Sequence, residues 1–328
     1  MKKSTIQKKL FNQIEKVKPA HLALVDAVAE ALGISNDSVY RRIRGEKRID
    51  IDETAQLCSH FQISMDSLVG VSTKNQIQCN YSPLDFSDLS QYMLYVQNLS
   101  ANIEHVRSFP GSEIILSASD ISVFNLLAYK ELTFFKLFAW NKNVYGFEDS
   151  YEEFVKKLDV DEIAKYYDRI VRDYQLIPST EVWTANTIDP LLKLLSYHSE
   201  IGSFDDKKYP VFLCEQALEL MDTLQKWTEK ESKGANETPF KLYISETDLE
   251  GTFIVLKQQE KTNCIFKLYT INSISTADER FCQETERWLR NTAQRSTLIS
   301  GASEKERRKF FAAQQKKIRL LMGSIESY

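Results

Sequence analysis

The stretch Ala31–Ile49, ALGISNDSVYRRIRGEKRI, sets four arginines and a lysine behind Ser-Asn-Asp-Ser. Guanidinium and ammonium groups bind phosphate, and guanidinium and carboxamide groups can fork onto base edges. A cluster of these types is suited to a polyanion. The charge around it is uneven. Residues 1–48 hold eleven Lys/Arg against five Asp/Glu, a net of +6, in a 328-residue chain of formal net charge −4. A basic end on an acidic chain points to a polyanionic partner.

Other chemistries find less support. The five cysteines (Cys58, Cys79, Cys214, Cys264, Cys282) are odd in number and widely spaced, with no C-x-x-C. No zinc site or disulfide framework is expected, and a reducing cytoplasm is the simpler setting. The four histidines, His21, His60, His105 and His198, are equally scattered, so no metal and no cofactor is expected. The closest of the ten glycines, Gly33 and Gly45, are twelve apart, so no G-x-G-x-x-G, P-loop or G-x-S-x-G can be written. His198 near Glu200 and Cys214 beside Glu215 lack a partner constellation. No glycine follows Ala or Cys, which removes the cleavage site of a self-cleaving serine–lysine repressor domain. The chain reads as a non-enzyme. No apolar run of about 18 residues appears, so no membrane span is expected, and the lysine-rich start reads as an amphipathic helix rather than a signal peptide.

The elements that must hold the basic cluster are short helices. Ile6, Leu10, Ile14 and Val17 repeat at helical spacing. Pro19 is placed to open a second helix through Leu22, Val25, Val28, Ala29 and Leu32, with Gly33 ending it in a left-handed conformation. Ser35 is an N-cap for a third helix from Asn36 to Arg44. Gly45 stops it, Asp50 or Asp52 caps a fourth, and Ser64–Val69 makes a short fifth. At 100° per residue Val39 and Ile43 of the third helix face Leu32 and Ile34. Asp37, Arg41 and Arg44 fall opposite, Ser38 and Tyr40 flank them, and Asn36 sits at the exposed tip.

Ala29, Gly33 four residues on, Val39 six further, then R-x-x-R-G-E-K-R-I and S-M-D-S-L-V together resemble the helix-turn-helix domain of the phage-repressor/Cro-type (XRE-like) family. The resemblance covers roughly residues 5–70. It implies a mainly α, five-helix DNA-binding domain over residues 1–72. It also implies Asn36, Asp37, Tyr40 and Arg41 as readers of base edges in a major groove. Arginine suits guanine, asparagine suits adenine, and aspartate accepts from cytosine. Ser35, Ser38, Arg42, Arg44, Lys47 and Arg48 stand where phosphates would pass. Val25 occupies a position where that family often has a polar, phosphate-holding residue.

Residues 73–85 read as a polar linker. Residues 86–328 read as an α+β domain, mostly helical, with one small antiparallel sheet. Helices are expected over 89–106, near 150–176, 187–200 and 209–230, and over Ser303–Met322. Ser122–Trp140 reads as one central helix, apolar almost all round. Residues 112–119 read as a strand. FKLYISE, TFIVLKQ and CIFKLYTI alternate and predict a three-strand meander, followed by a helix capped by Ser275. The aromatic run from Tyr129 to Trp140 reads as core. The expected function is a cytoplasmic, sequence-specific transcriptional regulator. It binds double-stranded DNA as a homodimer, through the helix 89–106 or the basic tail helix, and an unidentified small-molecule or protein effector would act on the larger domain. The rival reading is an adaptor whose larger domain binds a protein partner and whose helix-turn-helix is not used on DNA.

Overall fold

The computed structural model describes residues 5–19, 21–69, 76–81, 84, 89–259, 261–268 and 272–327. Of the predicted linker 73–85, residues 73–75, 82, 83 and 85 lie outside these residues. The chain divides into two compact units, residues 1–78 and 79–328.

The first unit holds five helices among its described residues: α1 (Ile6–Val17), α2 (Leu24–Leu32), α3 (Asn36–Ile43), α4 (Ile51–His60) and α5 (Met65–Val69). Side chains fix where three of them start. Thr5, Ser35 and Asp50 accept the backbone N–H groups of Lys8, Ser38 and Glu53, which the first turn of a helix cannot pair internally. Pro19 does not open α2. Its carbonyl accepts from the Leu22 N–H in a turn, and the helix begins at Leu24. Leu10, Ile14, Val28, Val39, Leu57 and Leu68 close one core, each at 1% exposure or less.

The second unit contains β1 (Asn80–Tyr81), α6 (Leu89–Arg107), β2 (Glu113–Ser117), α7 (Val123–Leu126), α8 (Lys130–Tyr145), α9 (Tyr151–Lys156) and α10 (Val160–Gln175). It continues through β3 (Ser179–Thr184), α11 (Asp189–Glu200), α12 (Tyr209–Lys230), β4 (Ser232–Lys233), β5 (Thr238–Ser245), β6 (Phe253–Gln258), β7 (Lys261–Lys267) and β8 (Ser273–Thr276). It closes with α13 (Glu279–Gln294), β9 (Thr297–Leu298) and α14 (Glu304–Glu326). No helix among the described residues is long and apolar enough to cross a membrane.

The small antiparallel sheet expected from the sequence is instead a mixed sheet of nine described strands, ordered β1-β8-β7-β6-β2-β3-β5-β4 with β9 on β5. Its centre is parallel: Ile114 registers with Ser179, and Ser179 with Phe240. The meander is β6-β7-β8, not β5-β6-β7. Residues 246–252 carry the chain from β5 past β3 and β2 to the far side of β2, where β6 pairs antiparallel. The parallel strands are joined by helical crossovers, α7–α10 between β2 and β3 and α11–α12 between β3 and β5, which cover a parallel sheet, and here both faces are covered. Ile114, Leu116, Phe240 and Leu242 share a core with the α8, α10 and α12 side chains Phe134, Tyr174 and Leu220. Ile115, Val255 and Cys264 pack on Cys282 and Leu289 of α13. The predicted single helix 122–140 is broken into α7 and α8 at Leu127–Tyr129, although α8 is buried continuously from Leu132 to Asn141. Ser275 lies in β8, and Asp278 caps α13.

The strand β3, read as neither helix nor strand from the sequence, is built around a buried carboxylate. Glu181 has no exposed surface. It accepts from Trp183 Nε1 at 2.8 Å, Tyr174 Oη at 2.5 Å and Asn125 Nδ2 at 3.0 and 3.2 Å. Lys233, also without exposed surface, donates to Ser179 Oγ at 2.6 Å and lies 3.2 Å from the Tyr174 ring centroid. Burial pushes the Glu181 carboxyl up and the Lys233 ammonium down, and each charge opposes the shift of the other.

Glu181→Ala leaves three donors without their acceptor and Lys233 without its counter-charge. The expected loss is about 3–5 kcal/mol, the size typical of halving a buried pair. Urea unfolding followed by tryptophan fluorescence reads it, because Trp140, Trp183, Trp227 and Trp288 all lie in the larger unit. A midpoint equal to that of the unsubstituted chain would show that the network adds no stability.

Candidate nucleic-acid interface

The basic cluster is positioned by the turn between α2 and α3. Gly33 takes φ +65°, and the N–H of Ile34 returns to the Ala29 carbonyl. A Cβ at this φ is strained, so glycine is the fitting residue. Ser35 then starts α3 in a new direction. Its Oγ accepts from Ser38 N–H at 3.4 Å, so the hydroxyl proton is still available to a ligand. Gly45, at φ +79°, ends the helix, and the N–H groups of Glu46 and Lys47 close on the Arg41 carbonyl.

The rotation of α3 about its axis is set by two inward residues, Val39 at 0% and Arg42 at 1% exposure. Arg42 therefore does not face phosphates, contrary to the sequence expectation. Its Nε donates to Glu53 Oε2 at 3.1 Å, and its Nη2 to Glu53 Oε1. Its Nη1 donates to the Ser38 carbonyl and to Ser38 Oγ at 3.1 and 2.7 Å. This fork–fork geometry uses the planar guanidinium as a strut between α3 and α4. Ser38, half-buried, serves the same strut. A second strut comes from α1. Gln7 Nε2 donates to the Arg42 and Lys47 carbonyls at 2.7 and 2.9 Å, and Gln7 Oε1 accepts from Ile49 N–H at 3.2 Å. Neither Gln7 nor Glu53 was singled out from the sequence. Glu53 follows Asp50 by three residues, a spacing that reads first as a helix cap.

With Val39 and Arg42 turned inward, Asn36, Asp37, Tyr40, Arg41 and Arg44 are exposed together on the other side, at i, i+1, i+4, i+5 and i+8. Tyr40 is 51% exposed. Three of the five are engaged locally by acids. Asn36 Nδ2 donates to Asp26 Oδ1 at 2.8 Å, and Glu46 sits between Arg44 (2.9 Å) and Arg41 (3.9 Å). Exposed ion pairs of this kind are weak and exchange readily for a stronger anion. Lys47 and Arg48 are exposed and make no ion pair among the described residues. Val25 is buried in the head core, so the start of α2 offers an apolar side chain there.

The catalytic candidates of the larger unit do not assemble. His198 has no exposed surface. Its Nδ1 meets Ser203 Oγ at 3.0 Å, and its ring packs edge-on against Phe135. Glu200 accepts from Ser196 instead. Cys214 is buried, and burial, helped by Glu215, pushes its thiol up to about 12, which keeps it protonated at neutral pH.

No protein-family model matches the chain, and no curated protein matches it. Among solved structures, that of TrmBL2, an archaeal chromatin protein reported to show a novel mode of DNA binding, aligns over 89% of this chain and 99% of that chain. The two are 10% identical and the TM-score is 0.25, too low to establish a common fold.

Arg42→Ala is expected to destabilise the first unit by about 3–5 kcal/mol, because it strands Glu53 and two Ser38 acceptors. Far-UV circular dichroism reads this transition, which the tryptophans, absent from residues 1–78, do not report. A circular-dichroism transition unmoved by the substitution would remove the strut. His198 gives a pH dependence of known sign. Burial, then the charge of Lys142, lowers its pKa from 6.5 to about 4. The unfolded chain thus takes the proton first, and the stabilisation present above pH 6.5 is lost as pH falls towards 4. His198→Gln should flatten that part of the stability-versus-pH curve. An unchanged slope would assign the acid sensitivity to other groups.

Proposed function

We propose that the chain is a sequence-specific DNA-binding transcriptional regulator. In this reading α2, the Gly33 turn and α3 act as a helix-turn-helix of the phage-repressor/Cro type, and α3 enters a major groove. The observation that carries it is the inward pinning of Val39 and Arg42. That pinning turns Asn36, Asp37, Tyr40 and Arg41 out on one face, with Arg44, Lys47 and Arg48 at its C-terminal edge. Arg41 fits guanine O6 and N7, Asn36 fits adenine N6 and N7, and Asp37 accepts from cytosine N4. Arg44, Lys47, Arg48 and the hydroxyl proton of Ser35 meet phosphates. Arg42 acts from behind, as a positioning residue. A single recognition helix reads few base pairs, so the working unit is a homodimer on an inverted repeat, held by the larger unit.

Selection of the full chain on a random duplex library at two salt concentrations should enrich an inverted repeat. Arg41→Ala should then weaken binding to that site by about 1–3 kcal/mol and relax the preference at one base pair. Lys47→Ala should weaken all duplexes alike and lower the salt slope by about 1. Glu46→Gln should strengthen binding, because it frees Arg41 and Arg44. A sequence-blind pool, or unaltered affinity in all three variants, would exclude the groove reading.

A further inference from the structure

A cleft of about 550 Å³ opens in the larger unit, in the size range of small-molecule sites. It is lined by Ser119, Asp120, Lys193, Glu250, Thr252 and Lys267, with the first turns of α11 as one wall. Its place in the fold is informative. Ser119 and Asp120 directly follow β2, and α11 follows β3, so the cleft lies outside the carboxyl ends of two adjacent parallel strands. Open α/β sheets bind their ligands outside the carboxyl ends of their strands. Thr252 precedes β6, and Lys267 ends β7, beside the same end of β2.

The floor is tied together by hydroxyls. Ser117 Oγ donates to the Gly251 carbonyl and accepts from Phe253 N–H, both at 3.2 Å. Ser119 Oγ and Thr252 Oγ1 are 3.1 Å apart, and the Ser119 N–H donates to Thr252 Oγ1 at 3.3 Å. Above them sits a charged cluster. Asp120 Oδ2 takes Lys136 from α8 and Lys267 at 3.2 Å. Burial works to raise the Asp120 carboxyl, but the two lysines outweigh it and hold it below its usual range. Asp120 Oδ1 is buried and accepts from no donor among the described residues, an arrangement that costs free energy unless a donor arrives. Lys193 is exposed at the rim and forms no ion pair among the described residues. The charges lining the cleft cancel, Lys193 and Lys267 against Asp120 and Glu250, and the buried Lys136 behind Asp120 leaves the cluster as a whole with one net positive charge.

We propose that this cleft binds a small organic anion bearing hydroxyl groups. Lys193 and Lys267 hold the anionic group, and Asp120, Ser119 and Thr252 receive the hydroxyls. Inorganic phosphate satisfies the lysines alone, and an uncharged sugar satisfies the hydroxyl acceptors alone. Only a molecule carrying both kinds of group uses the whole lining. The inference goes beyond the DNA-binding reading and does not depend on it, since the head contributes no residue to the cleft.

Isothermal titration calorimetry of the full chain tests it. Glycerol 3-phosphate, ribose 5-phosphate and glucose 6-phosphate form one arm. Gluconate and citrate form a second, which separates phosphate from carboxylate as the anionic group. Inorganic phosphate and glucose are the controls. At least one hydroxylated anion should bind saturably and more tightly than both controls. Lys193→Glu should weaken it by about tenfold or more with the melting temperature of the unliganded protein unchanged, because Lys193 holds nothing in the fold. Ser119→Ala should weaken it less. The proposal is overturned if no hydroxylated anion binds, if none binds more tightly than inorganic phosphate, or if Lys193→Glu leaves the affinity as it was.

Discussion

The pairing of Arg42 with Glu53 is the constraint on which the exposed face of α3 depends. An arginine on a short basic helix is ordinarily held in water by its own hydration. Here it is withdrawn, and the withdrawal is made tolerable by a bidentate carboxylate and two acceptors from Ser38. Such a pair adds little net stability over an apolar substitute of the same shape. What it adds is direction. A guanidinium that must reach Glu53 permits α3 one rotation about its axis. Val39 alone would allow α3 to rock, and Asn36, Tyr40 and Arg41 would then sweep an arc rather than hold a face.

The larger unit uses the same device in its sheet. Glu181 stands in the central parallel region, where apolar residues are the rule, and it is fully surrounded by donors from α7, α10 and its own strand. Lys233, on the edge strand β4, supplies the opposite charge from the same interior. The network joins the crossover between β2 and β3 to the one between β3 and β5. Both crossovers must be in place before either charge is satisfied, so β3 is fixed relative to α10 and to β4 at once.

The two units were legible to different degrees, for physical reasons. Helix ends in the first unit are written in local chemistry. Ser35, Asp50 and Gly33 each act within a few residues, and the apolar repeat of Leu10, Ile14, Val28 and Val39 sets the faces. Two features there escaped the sequence. Pro19 opens a turn instead of a helix, and Arg42 was placed with its basic neighbours because composition does not say which arginine has a partner eleven residues away. In the larger unit the alternating segments 252–258 and 264–271 were visible as strands, since their signal is local, although the second strand begins earlier, at Lys261, in what reads as the connection. Their partners were not, because β5 chooses β3 through contacts set by two long crossovers. β3 itself was hidden by Glu181, which breaks the apolar run that identifies a buried strand.

Acids ring the exposed face of α3. Asp26 occupies Asn36, and Glu46 occupies Arg41 and Arg44, so the exposed face is partly self-neutralised in the free protein. These contacts are exposed and weak, and screened by salt, whereas in Arg42–Glu53 the guanidinium is buried and the carboxylate only partly exposed, so the pair is screened less. In the proposed DNA-binding reading, a polyanion at α3 would displace Asp26 and Glu46 without disturbing the strut behind them. The acids that hold position and the acids that compete with a partner are different residues, at different depths. This separation lets a head with only a small excess of free positive charge keep its shape while exchanging its contacts.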